Sequence, residues 1–146
     1  MDTWRIVSAN LDLVRSIYAA WEQGDFSAVD WAHPEIEYVI VGGPSPGAST
    51  GVAGMAELNR DFLSAWEDVR VVTDEYRELD TERVLVLHRR SGHGKISGLK
   101  LEQIAERGAH LFHVRDGKVT RLVGYHDADQ ALADLGIAPS LRSPRS

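Results

Sequence analysis

The chain has 146 residues, enough for one domain with a substantial core, and its 43% apolar and 26% charged residues are an ordinary globular composition. It has no cysteine, which excludes disulfides, thiolate zinc sites and cysteine nucleophiles. A net charge of -6 repels phosphate backbones, so nucleic acid is not an expected partner.

No apolar run approaches the roughly 18 residues of a membrane span, so no membrane association is expected. The first ten residues, MDTWRIVSAN, lack the apolar stretch of a signal peptide. The expected location is therefore cytoplasmic.

Residues 4–24 read as a helix, because Val7, Leu11, Val14, Tyr18 and Trp21 recur at spacings of three and four. Gly24 ends it, and Asp25 or Ser27 caps a short second helix over 26–31 that stops before His33-Pro34. Ile36–Val41 is a strand. Residues 42–47 form a Gly/Pro loop without phosphate-loop spacing. A third helix over 52–67 carries Val52, Met55, Leu58, Phe62 and Trp66 on its apolar face.

Strands follow at Val69–Glu78 and Arg83–Ser91, then a glycine-containing tip over 92–98. Leu99–Arg115 is a long strand with an expected bulge near Gly108. Asp116-Gly117 signals a hairpin into Val119–His126. Asp127 caps a closing helix, Ala128–Leu135, which Gly136 ends. Residues 1–138 make one domain, and 139–146 a loose polar tail. Helices set against a largely antiparallel sheet define the α+β class.

Several segments resemble the SnoaL-like family of the nuclear transport factor 2-like superfamily, in order and spacing. They are Leu13–Asp25 with its Gly-Asp break, His33–Tyr38, Arg115–Val119, and Tyr125-His126-Asp127 followed by Ala131-Leu132 and Leu135-Gly136. The resemblance implies a cone-shaped roll, with N-terminal helices packed on a strongly curved antiparallel or mixed sheet enclosing an apolar cavity. It also implies a homodimer through the outer sheet face. It does not imply one activity, since the superfamily spans ketosteroid isomerases, polyketide cyclases, epoxide hydrolases, dehydratases and non-enzymatic binders.

The ketosteroid isomerase site needs a carboxylate base on the first strand, plus a tyrosine and a protonated carboxyl as donors. Aligned through the Gly24-Asp25 break, the base position falls on Tyr38 or Val39, and neither is a carboxylate. Tyr18 lies one position from the donor tyrosine, and His110 replaces the protonated carboxyl. That activity is not expected here. No Arg/Asp pairing supports the epoxide hydrolase branch either.

The residues themselves narrow the chemistry further. His110 and His113 are three apart on a strand, and His88 and His93 five apart; odd spacings point to opposite faces, so neither pair chelates and no metal is expected. No Gly-x-Ser-x-Gly elbow supports a serine nucleophile. His110 shares a face with Phe112 and Val114, and its imidazole titrates near neutrality, which suits an acid or base. A two-residue Asp116-Gly117 turn puts Val119, Arg121, Val123 and Tyr125 on that face. A three-residue turn puts Leu122, Gly124 and His126 there. The apolar pattern favours the first and the resemblance the second, which we adopt, making His126 a candidate second pocket imidazole.

Arg89 faces inward if Leu85 and Leu87 do, and would then meet a ligand anion or Glu102 or Glu106; otherwise it is a solvated arginine beside Arg90. Tyr18, Trp31, Tyr38, Leu58, Phe62 and Trp66 are candidate cavity walls as well as core. The expected function is binding of a small, largely apolar molecule, with cofactor-independent isomerisation, cyclisation or dehydration by His110, assisted by Tyr38, Tyr18 and His126. The alternative is a non-catalytic binder or dimerising accessory domain.

Overall fold

The computed structural model describes residues 3–23, 25, 29–42, 46–64, 66–94 and 107–137. The elements run α1 (Thr3–Glu22), β1 (Ala32–Val41), β2 (Gly47–Thr50), α2 (Val52–Ser64), β3 (Trp66–Glu78), β4 (Arg83–Gly94), β5 (Arg107–Arg115), β6 (Lys118–Tyr125) and α3 (Ala128–Leu135). The strands form one mixed sheet in the order β2-β1-β6-β5-β4-β3. Only β1 and β6 pair in parallel; the other neighbours are antiparallel. The α+β class holds.

The α1 boundaries follow the predicted periodicity, and the amide of Asp25 closes back on the Ala20 carbonyl at 2.9 Å. The short helix predicted over 26–31 is not seen in its described part. Residues 29–31 form a turn in which the Val29 carbonyl accepts from the Ala32 amide at 3.0 Å; residues 26–28 lie outside the described set. β1 begins at Ala32 and tolerates Pro34 because its register with β6 is irregular between Ala32 and Glu37. α2 ends at Ser64 and Trp66 opens β3, so Trp66 does not belong to the helical face predicted for it. β2, inside the region around the predicted Gly/Pro loop, pairs with β1 through Tyr38–Ser49 and its neighbours.

Both faces of the sheet are apolar. On the inner face Ile36, Val84, Val86, Phe112 and Leu122 pack against Val14, Ile17, Tyr18 and Trp21 of α1. On the outer face Leu85, Leu87, Leu111 and Val123 pack against Ala128, Ala131 and Leu132 of α3. The sheet is not strongly curled, and no enclosed cavity is found among the described residues. The physical reason is on the inner face: the rings of Tyr18, Trp21 and Phe112 fill the space expected to be hollow, and Tyr18 and Phe112 are fully buried.

α3 matches its prediction in both caps. The Asp127 side chain accepts from the Asp129 amide, and Gly136 closes the helix with φ 66°. The Asp116-Gly117 hairpin is a two-residue turn, with positive φ at both residues and Arg115 paired to Lys118. Thr120 is then an extra residue: Val114 pairs with Val119, but His113 pairs with Arg121. The Thr120 hydroxyl donates to the His113 carbonyl at 3.3 Å across this bulge. The bulge, not a longer turn, puts Leu122 and Gly124 opposite Phe112 and His110.

The buried contact between α3 and the outer face should dominate the stability of this corner. Leu132→Ala is expected to cost ~2–5 kcal/mol in urea unfolding, while Asp134→Ala, on the exposed side of the same helix, should change it by less than ~0.5 kcal/mol.

Candidate functional site

The inner face carries a polar cluster inside the apolar layer. α1 delivers Tyr18 to the centre of β4 and β5, because Val14, Ile17, Tyr18 and Trp21 form its buried stripe. β4 alternates Val84, Val86, His88 and Arg90 inward, with Leu85, Leu87 and Arg89 outward. β5 presents His110 and Phe112 inward.

The Tyr18 hydroxyl joins two imidazoles. It lies 2.9 Å from His88 Nδ1 and 2.5 Å from His110 Nδ1. The imidazole rings stand 4.9 Å apart between centroids, tilted by 34°. Trp21 leans over His110 at 5.2 Å, and Phe112 and Tyr76 meet the Tyr18 ring edge-on at 6.1 Å each. His88 is sealed at 1% exposure, whereas His110 is only partly buried.

Two glycines make room for this cluster. Gly108 stands opposite His88 with no register shift, so the bulge predicted there is absent. A Cβ on Gly108 would lie 2.8 Å from His88 Nε2 and 3.0 Å from Arg90 Cζ and from the Tyr125 carbonyl oxygen. Through this notch the Arg90 guanidinium reaches His126, donating from Nη1 to its Nδ1 at 3.2 Å and from Nη2 to its carbonyl. Gly124, opposite His110, leaves 3.5 Å between its missing Cβ and the His110 ring edge.

Burial sets the protonation states. It holds His88 well below the ordinary histidine value, with His110 and Arg90 adding to the effect. Burial and then Arg90 bring His110 down to about 3 and His126 to about 4. Desolvation lowers Arg90 to about 10, still charged at neutral pH. Burial raises the Tyr18 phenol well above its usual range and Tyr38 to about 12. At neutral pH the cluster is one guanidinium, neutral phenols and neutral imidazoles.

Of the residues singled out in the sequence, the structure brings together Tyr18, His110 and Phe112 on the inner face, with His126 joined to the cluster through Arg90. Tyr38 is buried on the same face, in line with Leu122 and Phe112, but among the described residues no hydrogen bond joins it to Tyr18. Trp31 packs edge-on to Trp21 at 6.1 Å, and Leu58 sits against the core beside Gly47. The side chains of Phe62 and Trp66 lie outside the described residues. Arg89 does not line the inner face: it is exposed on the outer side and bonds Asp74 at 2.9 Å.

His88, Arg90 and Trp21 were not among the predicted site residues. Spacing along β4 relates His88 only to His93, whereas its partner His110 is on the neighbouring strand. The available signal was the inward alternation Val84, Val86, His88, Arg90, obscured because Leu85 and Leu87 are equally apolar. His113 points away from His110, as the odd spacing requires, and pairs with Arg83 and Arg121. Among the described residues no group of three or more His, Cys, Asp or Glu side chains is arranged to hold a metal. A shallow open depression near β2, lined by Glu37, Val39, Ala48, Ser49, Thr50 and Arg121, shares no residue with the cluster.

Two predictions follow from this geometry. Gly108→Ala forces a Cβ into Arg90, His88 and a backbone carbonyl, and should cost roughly 1–3 kcal/mol in urea unfolding; Gly124→Ala, at ordinary contact distance, should cost clearly less. The second concerns pH. The unfolded chain takes up protons on these histidines near pH 6.5, while folded His126 and His110 resist until about 4 and about 3. The unfolded state therefore binds more protons in acid. Stability should be level between about pH 7 and about pH 9, fall as pH drops through 6.5, and keep falling toward pH 4 and 3. His110→Gln should flatten that slope in urea titrations over the same window.

The SnoaL-like domain family matches residues 14–122 of the chain. Among solved structures, TerC co-crystallised with polyporic acid is 24% identical, with a TM-score of 0.67, covering 87% of this chain and 97% of TerC. An NTF2-like protein of Burkholderia thailandensis E264 is 23% identical, with a TM-score of 0.70, covering 88% and 96% of the two chains. An NTF2-like protein of Burkholderia xenovorans LB400 is 27% identical, with a TM-score of 0.63 and coverage of 81% and 88%. No curated protein matches the chain. The family match covers most of the sequence, including the part of α1 that carries Tyr18 and the strands that carry His88 and His110, and the chain belongs to the SnoaL-like domain family.

Proposed function

We propose that this protein binds a small, largely apolar molecule between α1 and the inner sheet face, with His110 as the polar contact, and rearranges it without a cofactor by isomerisation, cyclisation or dehydration. The observation that carries this reading is the Tyr18 hydroxyl bridging His88 Nδ1 and His110 Nδ1 within an apolar layer. Such a network is costly to build in a core unless fully satisfied. Here it holds one partly exposed imidazole, His110, in a fixed orientation beside Trp21 and Phe112. TerC, which shares the fold, was crystallised with polyporic acid, and a ligand of that kind joins an apolar body to an acidic group. The apolar pocket would form on the inner face at His110; Tyr38 would line its far side and His126 its Arg90 end.

The second reading, a binder without catalysis, is favoured by one observation. His110 lies so far below neutrality, at about 3, that it is a weak base at pH 7. A homodimer through the outer face would be confined to the area that α3 leaves open, which includes Val72 at 52% exposure.

Polyporic acid added to the protein should quench tryptophan fluorescence saturably, through Trp21 near His110. His110→Gln should weaken binding about tenfold, the effect of losing about 1.4 kcal/mol of hydrogen bonding. No saturable quenching, or equal affinity in the variant, would count against the site. Incubation of 2-tetralone with the protein in deuterium oxide separates the two readings: faster exchange of its α-protons supports catalysis, and binding without exchange supports the binder.

A further inference from the structure

An arginine side chain only donates hydrogen bonds. Arg90 Nη1 bonds His126 Nδ1, so that nitrogen must be the acceptor. Neutral His126 therefore carries its proton on Nε2. His88 is governed by the same cation from the other side. Its Nε2 and the Arg90 Cζ both crowd the Gly108 notch, 2.8 Å and 3.0 Å from the position of the missing Cβ. Among the described residues, buried His88 Nε2 has no hydrogen-bond partner. A proton there would be a buried donor without an acceptor, facing a positive charge. A lone pair there faces the cation favourably, which puts the proton of His88 on Nδ1.

That choice fixes the next bond. His88 Nδ1–H donates to the Tyr18 oxygen at 2.9 Å. The one proton of the phenol is then free to donate to His110 Nδ1 at 2.5 Å. Burial keeps the phenol protonated. His110, with Nδ1 accepting, carries its own proton on Nε2. Among the described residues, this nitrogen, unlike Nε2 of His88 and of His126, is not a sealed, unsatisfied atom, and it lies 3.5 Å from the position a Gly124 Cβ would take.

We propose that Arg90 is a positioning residue that sets the direction of the chain His88→Tyr18→His110, so that His110 offers an Nε2–H donor and the site selects a ligand with an oxygen acceptor, a carbonyl or enolate. This rests on the binding site proposed above and deepens it by assigning the polarity of its central contact. Among the described residues, Asp127, beside Arg90, and Glu22, on the α1 side of Tyr18, are carboxylates that act on this cluster.

Long-range nitrogen–proton NMR of the histidine rings tests the polarity without any ligand. The wild-type protein at pH 7 should show His110 and His126 as Nε2–H and His88 as Nδ1–H, each in roughly tenfold or greater excess. Arg90→Met should mix the His88 and His110 tautomers, Arg90→Lys should largely retain them, and Arg89→Met, on the outer face, should leave them unchanged. His110 found as Nδ1–H in the wild type overturns the proposal even if Arg90→Met does not fold. The ligand class is tested with 2-hydroxy-1,4-naphthoquinone, ionised at neutral pH, against 1,4-dimethylnaphthalene. The first should bind at least about tenfold more tightly, and more weakly in Arg90→Met. Equal binding overturns the acceptor assignment. Binding of neither probe, with the predicted tautomers present, overturns the binding site itself and leaves the polarity of the chain established.

Discussion

A phenol with no exposure to water must hydrogen-bond inside the protein, and much of this fold is arranged around that constraint at Tyr18. The hydroxyl meets imidazoles from two adjacent strands. Each imidazole in turn needs space that an ordinary strand residue would occupy. Gly108 and Gly124 supply it on neighbouring strands, each beside a histidine. The Thr120 bulge is part of the same arrangement, because it brings Gly124, rather than a bulky neighbour, opposite His110. α1 fixes the phenol through its buried stripe, and Arg90 closes the far side. Removing the hydroxyl would leave ring nitrogens of His88 and His110 without their partner, an expense of ~1–3 kcal/mol for each buried orphan.

Much of the fold was legible in the sequence because its signals were local. α3 has a capping aspartate, an apolar stripe and a terminal glycine, and each does what its chemistry suggests. The Asp116-Gly117 turn was equally plain in position but not in length, since it has two residues where the three-residue form was expected. The strand that follows was not, since a one-residue bulge leaves no compositional mark yet exchanges the faces of every later residue. β4 was ambiguous for another reason. Its Val-Leu-Val-Leu run is buried on both sides, under α1 and under α3, so alternation carries no direction. Arg89 and Arg90 consequently changed roles: the first is an outer-face ion pair, and the second reaches across the inner face.

The histidines show the same limit. Spacing along one strand correctly separates His110 from His113, but it is silent about His88, which meets His110 only through sheet pairing. The resemblance to the SnoaL-like family placed His110 and Tyr18 near each other and showed that the isomerase base is missing. It did not reveal that aromatic rings occupy the interior of an only moderately curled sheet. Within the family fold, the polar chemistry here belongs to phenol and imidazole, held neutral by burial, and to a guanidinium that stays charged at neutral pH despite it.

The central claim is that the Tyr18 hydroxyl is a directed link between two neutral imidazoles. Neutron diffraction from deuterated crystals at neutral pH tests it most directly. The account predicts nuclear density for deuterium on Tyr18 Oη toward His110 Nδ1, on His88 Nδ1, and on Nε2 of His110, with none on Nε2 of His88. Deuterium on both nitrogens of either imidazole, or on Nδ1 of His110, would contradict it.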